Sequence, residues 1–552
     1  MTSAWLRAWW RNQWPSALIL VVLVLGAALR LHGIDFGFPA LNDPDELMFE
    51  MGATRMLTGP TLNPGWFGHP ATISMYVLAV VNAATFAVGW LLGYFPDVAS
   101  FLKAIYHNPG IVMIPGRIAM AAFGTFAIWQ TWKIARSIGG LLAGTIAALL
   151  MACSTLTIQY SQLIRSDMIG TVFILMVIAA ALRIARYGRA KDYRWAALGV
   201  ALAVACKWPF GTVAIAVVGA TAARIASAPG ERDVQLARLR SFIFLAPIFL
   251  VIVSPYLVLD YPTVLRNLGG EAQVKHLGAT SEGLFANMAW YLKGPLLDGM
   301  GLPGLVLCAI GLIRMIRVSV TGWVILPALL VYGVMICFHG LRWERWVLPM
   351  LPLLAIAAGL AAAELTRAVR DRWPGQSHRW LAAVVILATS ASLIGPAWND
   401  AEARTHDTRQ AATEWARQNI PAGSKVMIEH FAFDLIDAPW TILFPMGDAG
   451  CVDAKSLING RVNYSVIDKA RGSRSNVDYG TVAPSKRDSC RSDYVILMEM
   501  ERYRAERALF PDEYHAYESL LADMKVRTII HPEPGRYAGP TMVIMERKRP
   551  SG

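Results

Sequence analysis

Eleven apolar stretches recur along this chain, most of them near the length a bilayer crossing requires, and a water-soluble fold has no interior large enough to hide them all. A membrane helix needs about 20 mainly apolar residues. Candidates fall near 16–34, 111–135, 138–160, 167–187, 194–206, 209–226, 241–259, 301–313, 321–338, 346–367 and 380–397. Several are short, which implies tilt or local thinning of the bilayer. No small-residue cleavage site follows the first stretch at Leu31-His32-Gly33, so it reads as a retained span and not as a signal peptide.

A twelfth stretch, 71–93, decides the topology, because a full crossing there would invert everything after it. The basic residues choose between the alternatives. With 71–93 kept on the outer side, Arg7, Arg11, Lys133, Arg136, Arg183, Arg186, Arg189, Lys191, Arg194, Arg224, Arg232, Arg238, Arg240, Arg314, Arg317, Arg367, Arg370, Arg372 and Arg379 all fall in cytoplasmic loops. That gathers about 19 of the roughly 30 membrane-part cations on one side, against about 5 acids. The stretch 71–93 is therefore expected to be juxtamembrane or re-entrant. Eleven crossings then carry the chain from a cytoplasmic N terminus to an external C-terminal domain.

Charge density divides the 552 residues at Trp398. Residues 1–398 are about 12% charged and residues 399–552 about 28%, close to the ordinary soluble value of about 25%. The expected fold is thus a polytopic α-helical membrane protein with about 11 spans plus juxtamembrane helices (1–398), followed by a soluble α/β domain (399–552). In that domain TRQAATEWARQNI reads as a helix, KVMIEHF, SDYVILMEM and KVRTIIHP as strands, and ERYRAERALFPDEYHAYESLLADM as helical. The net charge of +12 belongs to the membrane part, where orientation explains it better than nucleic-acid binding does. Glycine-rich phosphate loops are absent, so a nucleotide sugar is not expected as direct donor. Cys153, Cys206, Cys308 and Cys337 lie in or near spans, whereas Cys451 and Cys490 fall in the external domain, where a disulfide can persist.

The same topology brings Asp45, Glu46, His69, Arg117, Arg165, Asp167, Lys207, His276, Arg342 and Arg345 to the outer face. Asp43 can cap a helix with Pro44 at its first position, and Asp43-Pro44-Asp45-Glu46 has capping-box spacing. A purely structural reading of the acidic segment is therefore available. Its position favours chemistry, since the helix starts just beyond a span, near the depth of a lipid-linked phosphate. A carboxylate there can take a proton from an attacking hydroxyl or amine.

The carboxylate pair after the first span, followed by Ala53-Thr54-Arg55-Met56-Leu57-Thr58-Gly59 and by Asn63-Pro64-Gly65-Trp66-Phe67-Gly68-His69-Pro70, resembles bacterial relatives of the dolichyl-phosphate-mannose protein mannosyltransferases. More broadly it resembles the GT-C membrane glycosyltransferases, including the lipid A aminoarabinose transferase. Further along come Gly116-Arg117, the Tyr160–Asp167 segment, Cys206-Lys207-Trp208-Pro209, Ser254-Pro255-Tyr256 and Arg342-Trp343-Glu344-Arg345-Trp346-Val347-Leu348-Pro349 in the order such enzymes show. The chain departs from the pattern in two respects: the lumenal repeat domain of the eukaryotic mannosyltransferases is missing, and His69 stands where the aminoarabinose transferase resembles Lys-Pro.

The resemblance implies a glycosyltransferase of the bacterial inner membrane, with its C-terminal domain periplasmic. It would move a sugar from a polyprenyl-phosphate donor to a lipid, glycan or protein acceptor. Asp45 would be the base, with Glu46 and Asp167 as companion acids. Lys207 and Arg345, then Arg342, His69 and Arg165, would steady the lipid phosphate, Arg as a planar fork and Lys as a point charge. His276 reads as a solvated loop histidine. The resemblance leaves the need for a cofactor open; Asp45, Glu46, Asp167 and His69 are of the right type to coordinate a divalent cation. The alternatives are a transporter and a noncatalytic envelope assembly protein. A transporter would place ionisable groups near the midplane, often in repeated halves, whereas here they gather at one face.

Overall fold

The computed structural model describes residues 3–59, 61–317, 319–373, 375–430, 432–458, 466, 467, 470 and 478–548. The helices are α1 (Ser3–Leu31), α2 (Pro44–Thr58), α3 (Thr72–Leu91), α4 (Val98–His107), α5 (Gly110–Gly139), α6 (Leu141–Cys153), a short α7 (Thr155–Gln159), α8 (Ser166–Tyr187) and α9 (Ala190–Cys206). A 3-10 turn over Trp208–Ala214 opens α10 (Ile215–Ser227). Next come α11 (Arg232–Val253), α12 (Tyr256–Leu259), α13 (Tyr261–Glu271), α14 (Leu284–Lys293), α15 (Pro295–Arg317), α16 (Ser319–Phe338), α17 (Leu351–Arg372) and α18 (Ser377–Thr405).

The direction of each pass follows from which ends touch. Arg117 near the start of α5 donates to the carbonyls of Ile34 and Phe36, just beyond α1. Arg30 near the end of α1 reaches the carbonyls of Met151 and Ala152 at the end of α6. Lys207 after α9 meets Asp167 at the start of α8, and Arg404 at the end of α18 meets Gln162. These termini share one end of the bundle. At the other end Arg186 donates to the Ser137 carbonyl, Arg224 to that of Arg186, and Arg314 to Glu364. The chain thus traverses the bundle in α1, α5, α6, α8, α9, α10 with its 3-10 turn, α11, α15, α16, α17 and α18, the eleven passes expected from the sequence.

Among the described residues nine helices are long and apolar enough to cross a membrane, and α3 is one of them. It nevertheless stays at the first end. Thr72 at its start bonds to Ser254 at 2.7 Å, Leu78 packs on Gly116 of α5, and Asn82 donates to Glu50 of α2. Composition would let α3 cross; its partners hold it at this end of the bundle. The bundle itself closes on small residues, as membrane interiors do. A Cβ on Gly359 of α17 would lie 2.3 Å from the Ala143 carbonyl oxygen of α6, and one on Gly311 of α15 would lie 2.1 Å from that of Ala357.

After α18 the soluble domain begins with α19 (Thr408–Asn419), whose N-cap Asp407 and Gln410 form a capping box. The composition break at 398 falls inside α18, which carries its polar end beyond the bundle. Six strands, β1 (Lys425–Ile428), β2 (Thr441–Pro445), β3 (Cys451–Asp453), β4 (Tyr494–Leu497), β5 (Met524–Ile530) and β6 (Met542–Arg547), form one sheet in the order β3-β2-β1-β4-β6-β5. β1 pairs in parallel with β2 and β4, and the remaining pairs are antiparallel. Strand alternation sends Val426, Ile428, Ile496 and Ile544 toward α19, and Met427, Val495, Leu497 and Val543 toward a second core with Tyr503 and Tyr517. The α/β expectation holds, with the predicted late helix divided into Met500–Ala505 and Pro511–Ala522 at the proline. Cys451 and Cys490 are disulfide-bonded.

Candidate active site

The acidic helix is built as its sequence suggests, with one change. Asp43 has the extended backbone of an N-cap and accepts the Asp45 amide at 3.0 Å. Glu46 does not complete a capping box. It turns inward to a bidentate pair with Arg117, at 2.8 and 2.6 Å, and also accepts the Ile164 amide; both side chains are wholly buried. With every polar edge occupied and no opening beside it, Glu46 ties α2, α5 and the approach to α8 together. The expectation of a second working carboxylate on this helix is corrected accordingly.

Asp45, on the adjacent face, opens outward with 39% of its side chain exposed. Its Oδ2 accepts from Arg165 at 2.5 Å and from Arg345 at 3.3 Å. Arg165 also grips Asp43 through Nε and Nη2, at 2.8 to 3.2 Å. The segment that presents Arg165 is fixed from three sides. Arg30 spends all five of its N–H donors on Ser161, Thr157 and the carbonyls of Gly26, Met151 and Ala152. Tyr160 donates to Glu344 at 2.7 Å, beside Arg345, and Ile164 donates to Glu46. Burial alone would raise the Asp45 carboxyl, but the Arg165 and Arg345 guanidiniums outweigh it and hold it well below the usual carboxylate range.

Behind this clamp Lys207 Nζ donates to Asp167 Oδ1 at 2.6 Å, both side chains buried. Lys207 caps α9 in extended backbone, and Pro209 starts the next helical turn, so the break between two short passes aims the ammonium at α8. The same break anchors the loop that carries His69. Ala71 donates to the Cys206 carbonyl, and Trp208 Nε1 to that of Phe67. Ala71 adopts a left-handed φ of 51°, a conformation unfavourable for alanine and of the kind that collects at working sites.

His69 lies within the field of Lys207, Arg345, Asp45 and Asp167. Burial, reinforced by the two cations, pushes its imidazole down to about 3, so it is neutral at pH 7. Its Nε2 stands 3.8 Å from Glu271 at the end of α13. A Cβ on Gly68 would meet Glu271 Oε1 at 2.8 Å and the Trp66 ring at 2.6 Å, so a larger residue would displace one of them. Burial and the nearby Asp45 push the Glu271 carboxyl upward. Sequence reasoning missed Glu271, which sits in an unremarked loop-like stretch far along the chain.

Asp45, Asp167, His69, Arg165, Lys207 and Arg345 therefore come together. Arg342 does not reach them: it pairs with Glu282 at 3.0 Å over the Trp290 ring. His276 is half-buried against Trp343 and is not the solvated loop histidine expected. Among the described residues no group of three or more His, Cys, Asp or Glu is placed to hold a metal ion, because Asp45, Glu46 and Asp167 each face a cation instead.

Residues 96–259 match the family model described as dolichyl-phosphate-mannose-protein mannosyltransferase. No curated protein sequence matches the chain. Among solved structures, ArnT from Cupriavidus metallidurans in the apo state superposes with a TM-score of 0.51 at 13% identity, over 97% of this chain and 98% of that one. Its undecaprenyl phosphate-bound form gives 0.51 at 14% identity over the same shares. The Archaeoglobus fulgidus oligosaccharyltransferase tethered with an acceptor peptide gives 0.50 at 12% identity, over 98% of this chain and 75% of that one. At these identities the likeness shows the fold.

Proposed function

We propose that this chain, a GT-C-type glycosyltransferase relative by its family match and fold, transfers a sugar from a polyprenyl phosphate to an acceptor on the outer face of a bacterial inner membrane. The observation that carries the reading is the Asp45 clamp: an accessible carboxylate held by Arg165 and Arg345, beside a buried Lys207–Asp167 pair and a neutral His69. The concentration of cations at the opposite end of the bundle supports placing that end in the cytoplasm, with the site and the C-terminal domain outside.

In the reaction the acceptor oxygen or nitrogen attacks the anomeric carbon while its proton passes to Asp45. The bond from that carbon to the phosphate oxygen breaks, and the electron pair leaves with the lipid phosphate. Inversion at the anomeric carbon follows. Lys207 and Arg345 stabilise the charge developing on the leaving group. A carboxylate clamped by two guanidiniums is a weak base, and Arg345 supplies the remedy. The arriving phosphate competes with Asp45 for its fork, and loss of one guanidinium returns Asp45 toward ordinary basicity. Donor binding thereby switches on the base.

The test is reconstitution of the purified full chain with labelled polyprenyl-phosphate sugars and lipid, glycan and peptide acceptors. Glycosidic product that depends on Asp45 supports the reading. Substrate uptake without product would favour the transporter alternative.

A further inference from the structure

The helix α13 is docked beneath the His69 loop at three successive points. Asn63 donates to Asp260 at 2.8 Å, the Phe67 amide donates to Asn267 at 2.9 Å, and His69 Nε2 stands 3.8 Å from Glu271. Spacings of seven and four residues put Asp260, Asn267 and Glu271 on one helical face, so the first two contacts fix where the third falls. Trp66 packs edge-on against His69 and against Phe49, which lies one turn along α2 from Asp45. Trp66, His69 and Glu271 therefore form a wall that adjoins Asp45.

Glu271 differs from the other carboxylates of the site. Asp43, Glu46 and Asp167 are each buried against a cation, and Asp45 is held by two. Among the described residues no lysine or arginine makes a salt bridge to Glu271, and the histidine beside it is neutral. Its side chain is 47% exposed and that of His69 is 23% exposed. An ionised carboxylate offers acceptors only, so a group that docks on it must bring N–H or O–H donors. In the reaction described above, the lipid phosphate rests on Lys207 and Arg345 and the acceptor on Asp45. The sugar ring joined to that phosphate lies between them. Glu271 stands in the electrostatic field of all three, beside the space that the ring must enter.

Resting on the glycosyl-transfer reading, we propose that Glu271 recognises the donor sugar, accepting hydrogen bonds from ring hydroxyls or an amino group, with His69 beside it as a second polar contact. The class of sugar follows from the charge. A hydroxyl-rich neutral sugar or an amino sugar satisfies Glu271, whereas a uronic acid would bring a further carboxylate against Glu271 and Asp45.

Equilibrium competition against labelled undecaprenyl phosphate, on the full chain in phosphatidylcholine nanodiscs, tests this. The competitors are undecaprenyl phosphate itself and the same lipid bearing glucose, mannose, glucosamine or glucuronate. In the native protein at least one neutral or amino sugar should tighten binding about tenfold or more over the bare lipid, as a hydrogen bond to a charged group allows. Glucuronate should bring no gain. Glu271→Gln keeps the size of the side chain and removes its charge; it should erase the sugar's advantage and leave the bare lipid's affinity unchanged. Glu271→Asp keeps the charge and shortens the reach, and should weaken the advantage while still rejecting glucuronate. Affinity for the bare lipid reports the fold and the phosphate site, and the sugar's advantage reports Glu271. The proposal is overturned by an advantage that survives Glu271→Gln, by an equal loss for bare and sugar-bearing lipid in that variant, by a native protein that gains nothing from any neutral or amino sugar, or by one that prefers glucuronate. Each of those results leaves the donor-phosphate site standing. Failure of the native protein to bind undecaprenyl phosphate at all overturns the glycosyl-transfer reading instead.

Discussion

Arg165 and Asp45 stand 120 residues apart in sequence and 2.5 Å apart in space, which makes the break before α8 and the helix after α1 one chemical unit. Arg345 contributes the second hold on the same oxygen. Both cations therefore act on Asp45 through the same oxygen.

Asp45→Asn keeps the shape of the side chain and removes its capacity to take a proton. Transfer should fall by about 10²–10⁴-fold, the usual contribution of a general base. Donor binding should persist, because Lys207 and Arg345 remain. Full-rate transfer by the variant in reconstituted vesicles would remove Asp45 from the role of base.

The Lys207–Asp167 pair separates structural from chemical cost. Both side chains are buried, so Lys207→Ala leaves a carboxylate uncompensated and should destabilise the protein by about 3–5 kcal/mol. Lys207→Met combined with Asp167→Leu removes both charges and should recover most of that loss. If Lys207 serves the lipid phosphate, the double variant melts normally yet transfers poorly. Recovery of transfer along with stability would make the pair structural.

Glu46→Gln should behave in the opposite way to Asp45→Asn. Glu46 is sealed against Arg117 and the Ile164 amide, so neutralising it leaves Arg117 buried without its counter-charge. The expected cost is about 3–5 kcal/mol of stability. Whatever protein folds should retain the donor KM. A normal melting temperature with a large fall in kcat would return Glu46 to the chemistry.

Much of this was legible in the chain. Apolar run length and the sidedness of arginines give the eleven passes and the juxtamembrane α3, because both report a solvent boundary directly. Lys207 stands out because Trp208-Pro209 must break a helix where an ammonium would otherwise be costly. Glu46 misleads, since capping-box spacing is a local rule and Arg117, 71 residues away, overrides it. Glu271 is silent: Leu-Gly-Gly-Glu-Ala carries no periodicity, and only the packing of α13 beneath the His69 loop gives it a role. β3, of three residues, is too short to show a pattern, and β2 ends in Pro445 directly before the turn Met446–Gly450, so neither stands out as a strand. Their identity comes from β1, which pairs with β2, and β2 in turn with β3.

His430 offers a test of the soluble domain by acid. It is buried, neither ring nitrogen has a partner, and burial, aided by the Arg409 charge, pushes its imidazole down to about 3. An unfolded histidine titrates near about 6.5. Between those values the unfolded chain binds more protons than the folded one, so stability is complete above pH 6.5 and falls as pH drops toward 3. The loss attributable to this residue is about 2 kcal/mol at pH 5. His69 adds a parallel dependence, so the comparison must be between native protein and His430→Leu. The variant should show a flatter decline in unfolding midpoint from pH 7.5 to pH 5, followed by tryptophan fluorescence on the full chain. Identical slopes for the two proteins would mean that His430 gains a proton acceptor or solvent in the folded domain.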